Sequence, residues 1–303
     1  MSAVTLPFWV HLALVVNVVA QVVIVVTGGL VRLTGSGLGC PTWPQCVPGS
    51  YVPVEHQAQG IHKYIEFGNR TLTGMVGITA AAVLVAVWFI VRRDRRPRSL
   101  LALAAVPFVG VVAQAVLGGI TVLTHLSPET VAAHFLVSAM IIVASFVVLE
   151  RVRRPDGAAT WVVRQELQWL SYALSALTAL ILLLGTIVTG SGPHSGDAEA
   201  PARFGLDPRA MSWLHADTVM LWFGVLLALI VALRLTQASS RSQRAALLVL
   251  AVGLAQGVIG YAQYFAGLPV VAVALHMLGA CLLVLAVTNL VLSMRVRADV
   301  AAA

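Results

Sequence analysis

The sequence has 303 residues, of which 59% are hydrophobic and only 10% are charged. Soluble globular domains carry roughly 25% charged residues, so this chain has too little polar sequence to cover a water-exposed surface. The formal net charge of +7 comes from basic residues that stand mostly in short stretches between apolar runs. That distribution is typical of membrane topology signals and argues against nucleic-acid binding.

Eight apolar runs are each long enough to cross a bilayer as a helix. The sequence predicts these spans at residues 10–33, 64–91, 100–123, 129–150, 168–190, 209–236, 241–265 and 269–294. An even number of spans leaves both termini on the same side of the membrane. We therefore predict an all-α integral membrane protein with eight transmembrane helices.

The basic residues predict the orientation of these helices. Fourteen of them follow the second, fourth, sixth and eighth spans: Arg92, Arg93, Arg95, Arg96, Arg98, Arg151, Arg153, Arg154, Arg164, Arg234, Arg241, Arg244, Arg295 and Arg297. Five lie on the other side: Arg32, Lys63, Arg70, Arg203 and Arg209. Because basic loops stay in the cytoplasm, we predict that the arginine-rich side and both termini are cytoplasmic, in a protein of the cell membrane.

The two halves of the sequence resemble each other. Three positions of the first half recur in the second at a constant offset of 142: Gln114, Gly118 and His134 match Gln256, Gly260 and His276. The segment Val-Thr-Gly at 26–28 also recurs at 188–190. Four helices followed by four in the same orientation form a parallel repeat. We predict two pseudo-symmetric four-helix bundles, residues 1–155 and 156–303.

Two cysteines, Cys40 and Cys46, lie close together in the first outer loop, residues 34–63. The predicted orientation puts this loop on the extracytoplasmic side, where disulfides form and persist. We therefore predict a disulfide between them. The alternative is two free thiols or a transient metal site, since spacing alone does not fix connectivity.

Three histidines lie within the spans at similar depth. His134, His215 and His276 are about five, six and seven residues from the outer ends of their spans, which corresponds to roughly 8–10 Å at 1.5 Å per residue. Ionisable groups inside a bilayer are costly and therefore functional candidates. Neutral imidazole is a common axial ligand of haem iron, so His215 and His276 are predicted to hold one haem. The alternative is that each histidine hydrogen-bonds to a neighbouring helix.

The first half is less regular than the second. His134 corresponds to His276, but the position that corresponds to His215 is Asn69. Asparagine is a poor ligand for iron. Two arrangements stay open: His62, further out on the same helix, supplies the second imidazole, or the pocket holds a five-coordinate haem on His134 alone.

Glu66 is the acidic residue of this first pocket. It shares one helical face with His62, Asn69 and Thr73, because the four residues are spaced by four, three and four. A carboxylate facing a haem-sized cavity would orient a proton or a water, or stabilise developing positive charge. The alternative is a structural ion pair with Arg70, four residues later on the helix.

Three segments carry a resemblance to the haem A synthase family, which extends over nearly all of the chain. They are G-G-L-V-R-L-T-G-S-G-L-G-C-P-T-W-P-Q-C at 28–46, I-E-F-G-N-R-T-L-T-G at 65–74, and the Ala-His and Leu-His contexts of His134 and His276. The cysteine pair is similar to that of a bacterial, actinobacterial-like branch. The resemblance implies two similar four-helix bundles and conversion of haem O to haem A, by oxidation of a ring methyl to a formyl group for terminal oxidase.

The same resemblance implies roles for individual residues. A haem b cofactor would lie between His215 and His276 in the C-terminal bundle. The N-terminal bundle would bind the substrate haem with His134 as a ligand and Glu66 essential to the chemistry. Other residues of that site would be His62, Asn69 and Arg70, with Asn69 departing from the histidine that many members carry.

The implied partners are haem O as substrate, membrane lipid, haem O synthase and cytochrome oxidase assembly factors. Self-association of the chain is also compatible with the sequence. Two other functions use the same histidines. A di-haem b-type electron-transfer cytochrome would need no substrate pocket and no Glu66. A transporter with parallel repeats would use the histidines as a proton relay and would bind no haem.

Overall fold

The computed structural model describes residues 5–197 and 199–298. Within them, eight helices are long and apolar enough to cross a membrane. They are α1 Phe8–Leu33, α2 His62–Arg93, α3 Ser99–Leu123, α4 Pro128–Val152, α5 Gln165–Ser191, α6 Pro208–Leu235, α7 Ser240–Phe265 and α8 Val270–Ser293. No end differs from its predicted position by more than three residues. The prediction of an eight-span, all-α membrane protein is confirmed.

Local sequence signals fix the starts of the helices that carry candidate ligands. Helix α4 begins after Ser127, whose hydroxyl accepts a hydrogen bond from the backbone of the first turn, and Pro128 takes the first helical position. Helix α6 begins in the same way after Asp207, with Pro208 in the first position. These are favoured capping residues, and proline is preorganised for the first turn. The depth of the histidines in α4 and α6 is therefore defined by nearby sequence.

The buried core consists of separate clusters. One joins α1 to α4 and includes Leu14, Ile90 and Leu100. A larger one joins α5 to α8 around Trp222, whose indole N–H donates to the hydroxyl of Thr178 at 2.8 Å. A smaller cluster lies between them, where α1, α4 and α8 meet. The predicted boundary after residue 155 and the predicted internal repeat stay predictions.

The lateral surface of the helices is apolar. Side chains such as Ile78, Val258 and Val271 are about 70% exposed (69%, 71% and 71%). Large apolar side chains exposed in this number would drive aggregation in water, and they suit contact with lipid tails. The exposed surface thus agrees with the hydropathy of the helices.

The arginine-rich end of the molecule, where α2, α4, α6 and α8 finish, is held by ion pairs and a short sheet. Asp156 accepts from Arg96 at 2.8 Å and from Arg151 at 2.9 Å. Burial raises the pKa of Asp156, but the hydrogen bonds and charges of these two arginines outweigh burial and hold that pKa below its usual value. Strands β1 (Ala159–Trp161) and β2 (Arg295–Arg297) pair antiparallel here.

At the same end, Arg154 donates to the backbone oxygen of Leu292 in α8 at 2.9 Å, which ties the first half to the second. The two extreme ends of the chain, 1–4 and 299–303, for which the sequence also predicts a cytoplasmic location, lie outside the described residues.

Candidate functional site

Four polar side chains lie at the same level of the four even-numbered helices. Asn69 and His215 come seven residues after the first residues of α2 and α6, and His134 and His276 come six residues after the first residues of α4 and α8. We call these four residues the ligand layer. The even-numbered helices all start at the end opposite the arginine-rich end, so the layer lies about two turns below that opposite end.

Each histidine of the ligand layer packs against a glycine of the preceding helix. Gly118, Gly185 and Gly260 face His134, His215 and His276, and a Cβ on any of the three would lie 3.4 Å from the Cε1 atom of the ring. Asn69 faces Gly28 in the same way, with its amide nitrogen 3.8 Å from the added Cβ. Because glycine has no side chain, each ring or amide packs directly against the backbone of the neighbouring helix, and this contact orients it.

The histidines also fit a haem. The Nδ1 atoms of His134, His215 and His276 are buried and have no hydrogen-bond partner among the described residues. A buried polar atom without a partner is costly, and an imidazole nitrogen is a common ligand of haem iron. No group of three His, Cys, Asp or Glu side chains comes together in the described part of the chain, but a haem needs only one or two axial ligands from the protein.

The two halves differ in how these ligands meet. His215 and His276 lie at the same level of α6 and α8. In the first half the residue opposite His134 is Asn69, whose side-chain oxygen accepts a hydrogen bond from Thr27 at 2.9 Å. The second half therefore brings two imidazoles together, and the first half pairs one imidazole with an amide.

A glutamine supports the His134 and His276 positions identically. The side-chain amide of Gln114 donates to the backbone oxygen of His134 at 2.7 Å, and that of Gln256 donates to the backbone oxygen of His276 at 3.0 Å. The two glutamines were recognised in the sequence only as matching positions. They hold the second turns of α4 and α8 against α3 and α7.

Cys40 and Cys46 form a disulfide, so the predicted bond is confirmed and the alternative of free thiols is wrong. We call residues 40–46 the disulfide loop. Arg70 donates to three backbone oxygens of the loop, those of Cys40 at 2.7 Å, Thr42 at 3.0 Å and Gln45 at 3.4 Å. The indole of Trp43 contacts Gly119 of α3, the neighbour of the glycine that packs on His134. The loop therefore covers the outer side of the first half.

Glu66 is buried beneath this loop, with a side chain only 7% exposed. One of its carboxylate oxygens accepts from Arg70 at 2.6 Å, and the other accepts from the backbone N–H of Cys40 at 2.6 Å. The ion pair considered as an alternative is thus present. It also places the carboxylate, because Arg70 is itself fixed by the disulfide loop.

Two residues at the outer end of the helices, His62 and Arg32, lie outside the ligand layer. His62 begins α2 and its Nδ1 hydrogen-bonds to Ser36 at 2.7 Å. It lies seven residues before Asn69, roughly 10 Å along the helix, so the structure does not bring it into the layer. Arg32 of α1 donates to the backbone oxygen of Thr189 in α5 at 2.8 Å, joining the two halves at this end.

The contacts of two residues, Gly185 and Lys63, were not predicted from the sequence. Gly185 has no equivalent glycine in the first half at either repeat offset, and its signal is only its place six residues before the end of α5. Lys63 was counted with the outer basic residues, yet it is 3% exposed and donates to the backbone oxygens of Val54 and Glu55 at 2.6 and 2.8 Å. It therefore holds the loop that leads from the disulfide to α2.

The chain is similar in sequence to known proteins. The chain is 30% identical over 175 residues to the heme A synthase of Lysinibacillus sphaericus (strain C3-41), covering 56% of this chain and 54% of that protein. It is 28% identical over 171 residues to the heme A synthase of Bacillus mycoides (strain KBAB4), covering 55% and 52%. The matches thus span about half the length of these curated relatives.

A family model matches much more of the chain. The model described as cytochrome oxidase assembly protein, COX15-CtaA, matches residues 11–288. That range contains the four residues of the ligand layer, the disulfide loop, and the Glu66 and Arg70 pair. The chain belongs to the COX15-CtaA family of cytochrome oxidase assembly proteins.

Proposed function

We propose that this protein is a haem A synthase, an oxidoreductase that converts the ring methyl group of haem O to the formyl group of haem A for cytochrome oxidase. The names of the relatives and of the family support this activity. The observation that carries it is the buried Glu66 carboxylate, fixed by Arg70 and by the backbone of Cys40 in the half that also contains His134. A protein that only transfers electrons has no need of such a group.

The two bundles would bind different haems: residues 1–155 would bind the substrate, and residues 156–303 would bind a haem b cofactor. The separate buried clusters and the equivalent glutamine contacts support this division. His215 and His276 would be the axial ligands of the haem b iron, because both have a buried unpartnered Nδ1 and a glycine beside the ring. When bound, that haem would supply one-electron redox chemistry.

In the substrate pocket, His134 would be the iron ligand. Asn69 would leave the opposite face of the iron without a strong ligand, since its side-chain oxygen already accepts from Thr27. His62, at the outer end of α2, would contact the edge of the substrate. Arg70 would act through Glu66, by holding its carboxylate.

Glu66 would serve the reaction as a carboxyl group held in one position. One of its oxygens accepts a hydrogen bond from Arg70 and the other from the backbone N–H of Cys40. Each oxygen retains a further lone pair. Oxidation of a methyl group releases protons and creates positive charge, so a fixed carboxylate would stabilise that charge and accept a hydrogen bond from the oxidised carbon's hydroxyl group.

The predicted orientation fits this activity. With the arginine-rich end in the cytoplasm, the ligand layer would lie near the outer face of the cell membrane. Haem O is apolar enough to enter laterally from the lipid. We propose haem O synthase as the source of the substrate and cytochrome oxidase assembly factors as acceptors of the product.

The test is haem analysis of the full chain, made in cells that produce haem O but lack their own haem A synthase. We expect extracts to contain haem A, and the purified protein to retain haem b together with haem O or haem A. Glu66→Gln should lower haem A formation by about 100-fold or more, while the haem b spectrum persists. Glu129→Gln changes an exposed carboxylate at the start of α4 and is the matched control.

Other results would point elsewhere. Haem b alone, with no haem A in the cells, would indicate an electron-transfer cytochrome. A protein purified without any haem would contradict both functions. Normal haem A formation by Glu66→Gln would remove Glu66 from the chemistry while leaving the synthase activity intact.

A further inference from the structure

A cavity of about 310 Å³ opens at the arginine-rich end of α7 and α8, away from the ligand layer. Its lining residues are Ser240, Arg241, Arg244, Ala245, Leu248 and Asn289. Ser240 is the first residue of α7, and Gly260, beside His276, lies twenty residues further along, roughly 30 Å away. The cavity is therefore a site separate from the one proposed for haem.

The mouth of this cavity carries uncompensated positive charge. Arg241 lies 3.2 Å from a carboxylate oxygen of Glu150. The same carboxylate also forms ion pairs with Arg154 at 2.7 Å and with Arg153 at 3.5 Å. One negative charge therefore balances only one of these three positive charges. Arg244 forms no ion pair with any residue that the structure describes. An anion bound here would neutralise charge that the protein leaves unpaired.

The wall below the mouth is apolar. Arg241, Arg244 and Leu248 are spaced by three and four residues, which puts them on one face of α7. Leu248 is about 10 Å deeper in the membrane than Arg241 and is 50% exposed. Ala245 is small, and Asn289 of α8 contributes an amide that makes no hydrogen bond to a described residue. The cavity therefore combines a cationic mouth, a polar side wall and an apolar floor that faces lipid.

We propose that this cavity binds one anionic phospholipid, with the headgroup phosphate between Arg241 and Arg244 and an acyl chain along Leu248. Arginine presents a planar fork of donors that matches phosphate oxygens, and basic pockets between transmembrane helices are known to take anionic headgroups. Asn289 donates to the glycerol backbone or to the phosphate. A free phosphate ion uses only the mouth and leaves the apolar floor empty, so the shape of the cavity selects the lipid.

The experiment is native mass spectrometry of the delipidated full chain in detergent. The probes are phosphatidylglycerol, phosphatidylcholine with the same acyl chains, and inorganic phosphate. We expect one phosphatidylglycerol per chain, bound at least tenfold more tightly than phosphatidylcholine and not displaced by inorganic phosphate. Each arginine near a membrane surface contributes about 1 kcal/mol, about fivefold in affinity, so Arg241→Gln with Arg244→Gln should weaken binding about 25-fold.

The matched control is Arg92→Gln with Arg234→Gln, which removes two arginines of the same end that do not line the cavity. This control should change the affinity less than twofold. Equal binding of the two lipids by the unmodified chain, or equal loss in both double variants, would overturn the proposal. If inorganic phosphate binds with the same affinity and competes with phosphatidylglycerol, the ligand is a free anion and the lipid assignment is wrong. The comparison of lipids on the unmodified chain decides the matter even where a variant fails to fold.

Discussion

The two halves of the ligand layer share their supports and differ in their second ligand. In both halves a glutamine holds the backbone of the histidine on the last helix, and a glycine packs on that histidine's ring. The second half adds another histidine, His215, at the level of His276. The first half has Asn69 at the corresponding level of α2, bound to Thr27.

The halves also differ in what covers them. The disulfide loop lies over the first half and contributes the backbone N–H of Cys40 to Glu66. At the corresponding place in α6, three residues before His215, the second half has Ser212, whose hydroxyl donates to the backbone oxygen of Pro208. Two strong iron ligands suit a cofactor that stays bound, whereas one ligand and a fixed carboxylate suit a haem that must enter, react and leave. Under the proposed function, one helical arrangement would serve both as a cofactor site and as a substrate site.

The largest effect expected from this comparison is the loss of one haem at a time. His276→Ala should abolish the haem b spectrum of the purified protein, because one of two axial imidazoles is removed. His134→Ala should keep that spectrum and lose the bound substrate haem. Absorption spectra and extracted haems of the two variants make the measurement. If His134→Ala removes haem b instead, the two sites have been assigned to the wrong halves.

The disulfide should matter only to the first half. Closing a loop as short as residues 40–46 contributes about 2 kcal/mol to stability in the chain-entropy model. Replacing both Cys40 and Cys46 with serine should also let Glu66 shift, and a displacement of about 1 Å at a reacting group costs on the order of 100-fold in rate. We expect haem A formation to fall by that order while the haem b spectrum is unchanged.

The control for this variant is Cys281→Ala, which removes a buried thiol far from the disulfide loop and should leave haem A formation normal. Thermal unfolding followed by the haem b absorbance gives the stability change. Wild-type haem A formation by the double serine variant would mean that the loop does not position Glu66.

The sequence could predict the helices but not the contacts between them. Span limits depend on local hydropathy and on capping residues such as Ser127 and Asp207, which is why they agree to within three residues. The bond from Cys40 to Glu66 joins positions 26 residues apart, and no local pattern encodes it. Gly185 was missed because its role exists only against His215 on another helix.

Asn69→His would make the first half resemble the second. We expect the added imidazole to compete for the open face of the substrate iron and convert it towards the low-spin state. If this imidazole stabilises the bound haem by about 1.4 kcal/mol, release of the product haem would slow about tenfold. Electron paramagnetic resonance of the purified variant measures the spin state, and Asn69→Ala is the control that adds no ligand. An unchanged spin state in Asn69→His would mean that this side chain does not face the iron.

The smallest expected effects come from the glycines beside the rings. A Cβ at Gly118 or Gly260 would lie 3.4 Å from Cε1 of His134 or His276, at the inner limit of van der Waals contact, so any movement of the ring towards the glycine on haem binding would overpack the site. Such overpacking costs about 1 kcal/mol, which is about fivefold in haem affinity.

Gly118→Ala should therefore weaken only the substrate haem, and Gly260→Ala only haem b, as measured by haem titration of the purified apoprotein. Gly74→Ala is the matched control, because a Cβ there meets no atom within 4 Å. An equal loss of both haems in either variant would mean that the rings are coupled across the bundles, and the two halves could then no longer be treated as independent sites.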